Sequence, residues 1–136
     1  MSDPRRHGLP PSLDDIASLA EEALVRLEEP FATHARAVAI KVEDMADAAT
    51  LREVGIDNPY ELTGLYEGVA LTLETPSAPS ALPPLIRLFR LPILDEWAAT
   101  GDITLEDLVA HVLIHELGHH FGWSDEEIDA INDGPP

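Results

Sequence analysis

From Ser12 onward, apolar residues recur first at helical and then at strand spacing, and this rhythm divides the chain into elements. Ser12 with Asp15 three residues on makes a capping-box pattern, followed by Leu13, Ile16, Ala20, Ala23, Leu24 and Leu27 on one helical face. Pro30 marks the end of that helix or the start of a short extra turn. Arg36 to Val42 reads as a strand, with Val38, Ile40 and Val42 on one face. A short helix over Asp47 to Val54 follows, ended by Gly55. Asn58-Pro59 has the form of an N-cap with proline at the first helical position, opening a turn that Gly64 closes.

Leu65 to Leu73 is the second strand, in which Gly68 predicts a bulge or a close backbone approach. Residues 74–84 hold four prolines and two serines and form a loop. Leu85 to Arg90 is a third strand, expected to pair with the second, and Pro92 starts a short helix through Trp97 that stops before Gly101. Thr104 and Asp107 cap a last long helix. Its apolar face is Leu105, Leu108, Val109, Val112 and Leu113, and it runs to Phe121 and Gly122. Strands and helices in this order, with antiparallel and parallel pairing mixed, make the class α+β. Residues 1–11, rich in proline, arginine and glycine, are expected to be a flexible arm ahead of a single domain over residues 12–136.

Charge narrows the set of partners. Eight lysines and arginines against 26 acidic residues give a net charge of −18. Such a surface repels phosphate backbones and anionic lipid, so neither nucleic acid nor a membrane is expected as a partner. Solubility accounts for most of the acidity; a weak preference for basic peptides or a metal cation fits the same field. The chain has no cysteine, hence no disulfide framework and no thiolate metal site. The N-terminal residues lack the apolar run of a secretory signal, and no stretch has the length of a membrane span, so the expected location is cytoplasmic.

The chemistry lies at the end of the long helix, in His115-Glu116-Leu117-Gly118-His119. Positions i and i+4 are offset by about 40° around a helix axis and about 6 Å along it. His115 and His119 therefore project side by side, and both imidazoles can reach one zinc ion at about 2.0–2.1 Å. Glu116 lies about 100° further round, a place that suits a base acting on water better than a ligand. Two histidines hold zinc weakly, so a third ligand is expected. Asp125 would face away from the ion on a continued helix, but Gly122 offers the left-handed conformation that turns the chain. Ser124, with Glu127 three residues on, then caps a final short helix with Asp125 at its first position. The pattern is H-E-x-x-H-x-x-G-x-x-D, with one zinc ion on His115, His119 and Asp125.

At these residues the sequence resembles the zincin metallopeptidases whose third ligand is aspartate, and most of all the small bacterial minimal zincin-like proteins. The matching stretches are His111 to Glu127, Gly64 to Gly68 and Arg90 to Trp97, with looser similarity over most of residues 12–131. The resemblance implies a single zincin-like domain in which a small mixed sheet packs on the metal helix. It also implies an edge strand along a cleft, able to pair with an extended peptide. It implies the same three ligands, with Glu116 as general base. Tyr66, on the expected cleft strand, is a candidate for stabilising the oxyanion; a packing tyrosine with a satisfied hydroxyl is the other reading. Larger zincins carry a methionine turn below the metal, whereas Met1 and Met45 both precede this site. Only 11 residues follow Asp125, so the lower subdomain of large peptidases is not expected.

His111, one turn before His115, is read as either a support for the metal or a packing histidine. His120 points about 100° from His119 and is expected at the surface or just outside the ligands. Trp97 and Trp123 are expected to pack, Trp123 also bracing the Gly122 turn, and Gly118 suggests a close helix–strand approach. The leading functional expectation is a zinc-dependent metallopeptidase acting on peptides or flexible protein segments. A catalytically weak or inactive zincin-fold protein that binds metal and peptide is the alternative. A third option is a metal that only ties the C-terminal turn to the helix, against which Glu116 argues. A homodimer, with a partner subunit completing the cleft, is compatible with all three.

Overall fold

Side-chain oxygens start four of the helical segments, and they do so where the sequence places caps. A computed structural model describes residues 9–29, 31–68, 83–123 and 126. Ser12 and Asp15 exchange both bonds of a capping box, Ser12 N–H to Asp15 Oδ2 at 2.8 Å and Asp15 N–H to Ser12 Oγ at 3.1 Å. They open α1 (Leu13–Val25). Asp47 accepts from the Thr50 N–H at 2.7 Å to open α3 (Ala48–Val54), which Gly55 closes. Asn58 accepts from the Tyr60 N–H at 3.1 Å at the head of a 3-10 turn, Pro59–Glu61. Thr104 accepts from the Asp107 N–H at 3.0 Å and opens α5 (Leu105–His120). The other helices among the described residues are α2 (Phe31–Ala35) and α4 (Arg90–Thr100).

Three strands, β1 (Ala39–Glu43), β2 (Gly64–Glu67) and β3 (Leu85–Phe89), form a sheet in the order β1-β3-β2. β3 pairs in parallel with β1, Ile40 opposite Ile86, and antiparallel with β2, Gly64 opposite Leu88. The α+β class and the mixed sheet stand. Several boundaries move. β1 begins at Ala39 rather than Arg36, because the Ala37 and Val38 N–H groups are still bonded to carbonyls of α2. Gly64 is the first residue of β2 rather than the close of the preceding turn. Residues 69–73 of the expected second strand lie outside the described residues. β3 ends at Phe89 and α4 starts at once, two residues before Pro92 and running past Trp97 to Thr100. Pro92 thus sits in the first turn, where its missing N–H breaks no helical bond.

β3 is central because almost every side chain on it is buried. Ile86 and Leu88 face α1 and α5 and join Ile16, Ala20, Val109 and Leu113 in the main core; Val38, Ile40 and Val42 pack there as one face. Phe89 faces the opposite way, with Ala46 and Leu62. On that second face Arg87 is buried, and sequence periodicity gives no sign of it. Its guanidinium donates to Glu43 of β1 at 2.8 Å, Glu67 of β2 at 2.9 Å and Thr50 Oγ1 of α3 at 2.9 Å, and stacks over Phe89. Burial alone lowers its pKa, but the two carboxylates outweigh that and raise it. One cation thereby fastens all three strands. No helix among the described residues is long and apolar enough to cross a membrane.

Candidate metal centre

The long helix α5 packs against α1, β2, β3 and α4, which fixes its rotation as well as its position. Two rows of side chains spaced four residues apart result, one residue out of step. Val112, Glu116 and His120 are buried, and the contacts of all three reach β2. His111, His115 and His119 form the neighbouring row, exposed at His111 and half-buried at the other two.

Gly64 explains how Glu116 comes to lie under the sheet. A Cβ at position 64 would meet Val112 Cγ1 at 2.8 Å and Glu116 Cγ at 3.3 Å, so only glycine leaves room for the helix at this distance. The carboxyl of Glu116 stays beside the two imidazoles. Nitrogen and oxygen atoms of His115, Glu116 and His119 all lie within 4.8 Å of one another. The rings of His115 and His119 stand edge to face, 5.0 Å between centroids. Two imidazoles converging with a nearby carboxylate fit a zinc-type ion, by both donor chemistry and spacing.

At its C-terminus α5 ends in a Schellman motif: the Gly122 N–H donates to the His119 carbonyl at 3.0 Å and the Trp123 N–H to the Gly118 carbonyl at 2.9 Å. Gly122 has φ +84°, the left-handed value expected of the turn. Trp123 packs on Phe31 and Phe121, with centroids 5.4 and 5.2 Å away, so the turn is braced from α2. Asp125, Ser124 and Glu127 lie outside the described residues.

His120 departs from expectation. It is only 2% exposed, and its Nδ1 is 2.7 Å from the hydroxyl of Tyr66. Counting four residues on from Glu116 finds it, because that places it in the row facing β2. The same bond gives the Tyr66 hydroxyl a buried partner. Trp97 is half-buried against the main core and donates its indole N–H to the Ile103 carbonyl at 2.9 Å.

A cleft of about 320 Å³ opens beside the histidine row toward the N-terminus of α5. His111, Val112, His115 and Glu116 form one wall; Glu61, Leu62, Thr63 and Gly64 form another, and Glu96 of α4 closes it. Nothing in the local pattern of residues joins the 3-10 turn and α4 to the site, since both arrive through the tertiary fold. The model of the zincin-like metallopeptidase family matches residues 35–134, a span holding the whole sheet, α4 and α5. No individual curated protein matches the chain.

Proposed function

The chain belongs to the zincin-like metallopeptidase family, and we propose that it hydrolyses peptide bonds in a zinc-dependent reaction. The observation that carries this reading is the convergence of His115, Glu116 and His119 within 4.8 Å, with Glu116 buried against Gly64 at the head of a cleft. His115 and His119 would hold the ion, with Asp125 as the expected third ligand. Bound there, zinc supplies Lewis acidity, lowering the pKa of a water to about 7 and polarising a carbonyl.

Glu116 supplies the proton chemistry. Its carboxylate takes a proton from the attacking water and returns it to the nitrogen of the leaving amine. Its packing against β2 limits its rotamers, so the base is held in place before substrate arrives. Among the described strands β2 lies at an edge of the sheet, and its outer side would offer backbone groups to an extended peptide. Glu61 and Glu96 in the cleft, with no lysine or arginine among its described lining residues, favour a peptide with basic over one with acidic side chains. The edge strand alone would also serve a protein that holds metal and peptide without turning the peptide over.

Metal analysis and a peptide-cleavage screen on wild type and Glu116→Gln separate these two. Under the peptidase reading, wild type binds one zinc and cleaves, while Glu116→Gln keeps the zinc and loses cleavage by about 100-fold or more. Equal cleavage by both proteins would remove Glu116 from the role of base. Zinc and peptide binding without any cleavage by wild type would leave the binding protein.

A further inference from the structure

A zinc site made of two helical imidazoles and Asp125 depends on the course the chain takes once α5 has ended. Asp125 comes six positions after His119, so the direction set at Phe121, Gly122 and Trp123 decides whether its carboxylate reaches the ion. We propose that Phe31 of α2 is a positioning residue for the metal, holding this turn so that Asp125 is presented together with His115 and His119. This rests on the ligand assignment above and not on peptide cleavage.

Phe31 bridges the two residues that flank the left-handed glycine. Its ring meets Phe121 edge to face with centroids 5.5 Å apart, and Trp123 in the same manner at 5.4 Å. Phe121 and Trp123 are themselves 5.2 Å apart, so the three rings form one cluster across Gly122. The Schellman bonds fix the backbone as far as the Trp123 N–H; the ring of Phe31 adds a hold on the Trp123 side chain, two residues ahead of Asp125. Phe31 and His34, three positions apart on α2, share the face turned to Phe121, which the His34 ring meets at 6.0 Å. On the side toward α1 a cavity of about 320 Å³ opens among Leu24, Leu27, Ala32 and Ala35, so α2 is packed less closely there. Phe31 is 37% exposed and belongs to neither core cluster, which lets its removal be read at the turn rather than as loss of core. Where the turn is not held, only a fraction of molecules present all three ligands, and the apparent zinc Kd rises by the inverse of that fraction.

Chelator competition gives the zinc Kd of wild type, Phe31→Ala, Asp125→Ala and the double variant, while unfolding of the zinc-free proteins measures lost packing separately. Phe31→Ala should weaken zinc binding about 10-fold in the wild-type background. In the Asp125→Ala background the same change should leave the Kd where it is, because the ligand that Phe31 positions is already gone. Phe31→Tyr keeps the ring and should bind zinc as wild type does. Phe31→Leu serves if the alanine variant folds poorly, and its loss should likewise vanish without Asp125. The proposal is overturned if Phe31→Ala binds zinc as wild type does, if it loses the same factor with and without Asp125, or if Phe31→Tyr loses as much as Phe31→Ala. Failure of the ligand assignment, which takes the proposal with it, shows elsewhere: in a wild type that takes up no zinc, or an Asp125→Ala protein that binds it as tightly as wild type.

Discussion

Gly64 of β2 and Glu116 of α5 lie so close that a methyl group added to the glycine would come within 3.3 Å of the glutamate Cγ. The same methyl would meet Val112 Cγ1 at 2.8 Å, a distance that forces something to move. Val112 is β-branched and stiff in a helix, so the strand or the helix must give.

Gly64→Ala is therefore expected to cost about 1–3 kcal/mol of stability through overpacking. It should also slow turnover by more than it weakens zinc binding, because it displaces the base while leaving the exposed sides of the two imidazoles alone. Denaturant unfolding and a zinc titration, set beside cleavage rates, check this. Unchanged turnover in a destabilised protein would show that the contact is only packing.

Zinc should stabilise the fold. At a concentration 100 times its Kd it adds about 2.7 kcal/mol, which for a chain of this size raises Tm by roughly 10 °C. His119→Ala should abolish the rise and Asp125→Ala should reduce it. His120→Asn should keep it, since that ring faces Tyr66. Scanning calorimetry with zinc and with a chelator reads all four proteins. A full rise in Asp125→Ala would remove aspartate from the ligand set.

Removing the Tyr66 hydroxyl leaves the buried His120 ring short of its partner. Tyr66→Phe should cost about 1–2 kcal/mol, the usual consequence of losing a buried hydrogen bond. Denaturant unfolding measures that cost, and peptide cleavage by the same variant measures turnover. If turnover instead collapses by about two orders of magnitude while stability holds, Tyr66 acts in catalysis.

Acid should loosen α3. The Thr50 hydroxyl and N–H bond Asp47 and hold its carboxyl below the usual range, with Arg87 adding to the effect. A depressed folded pKa means the contribution is complete above the unfolded value, near 4, and is lost as pH falls through the lower folded value. Asp47→Asn keeps a capping oxygen and removes the titration, so its stability should fall less steeply below about pH 4 than that of wild type. Parallel slopes for the two proteins between about pH 5 and pH 2 would place the acid sensitivity elsewhere.

Much of this was legible along the chain because it depends on neighbours in sequence. The Ser12–Asp15 box, the Asn58-Pro59 turn, the His115–His119 pair and the left-handed Gly122 are all set within five residues of themselves. Burial of Arg87 and His120 was not legible, since each depends on partners 20 to 54 positions away. The same holds for Gly64, whose place in β2 rather than in a turn is decided by pairing with Leu88. Proline is the usual local sign of a helix start, yet α4 begins two residues ahead of Pro92, because the chain enters the helix directly from β3.

The one-residue offset between the two rows of α5 also restricts how this helix can change. Deleting or inserting a single residue between Thr104 and His115 would rotate everything downstream by about 100°. An insertion or deletion of that size would swing Glu116 and the imidazoles away from their present directions together, so base and ligands would be lost in one event. Length changes are tolerable only in steps of three or four residues, close to a whole turn, whereas substitutions on the outer face of α5 are free of that restriction. The spacing from the Thr104 cap to His115 is thus as much a part of the active centre as the side chains that compose it.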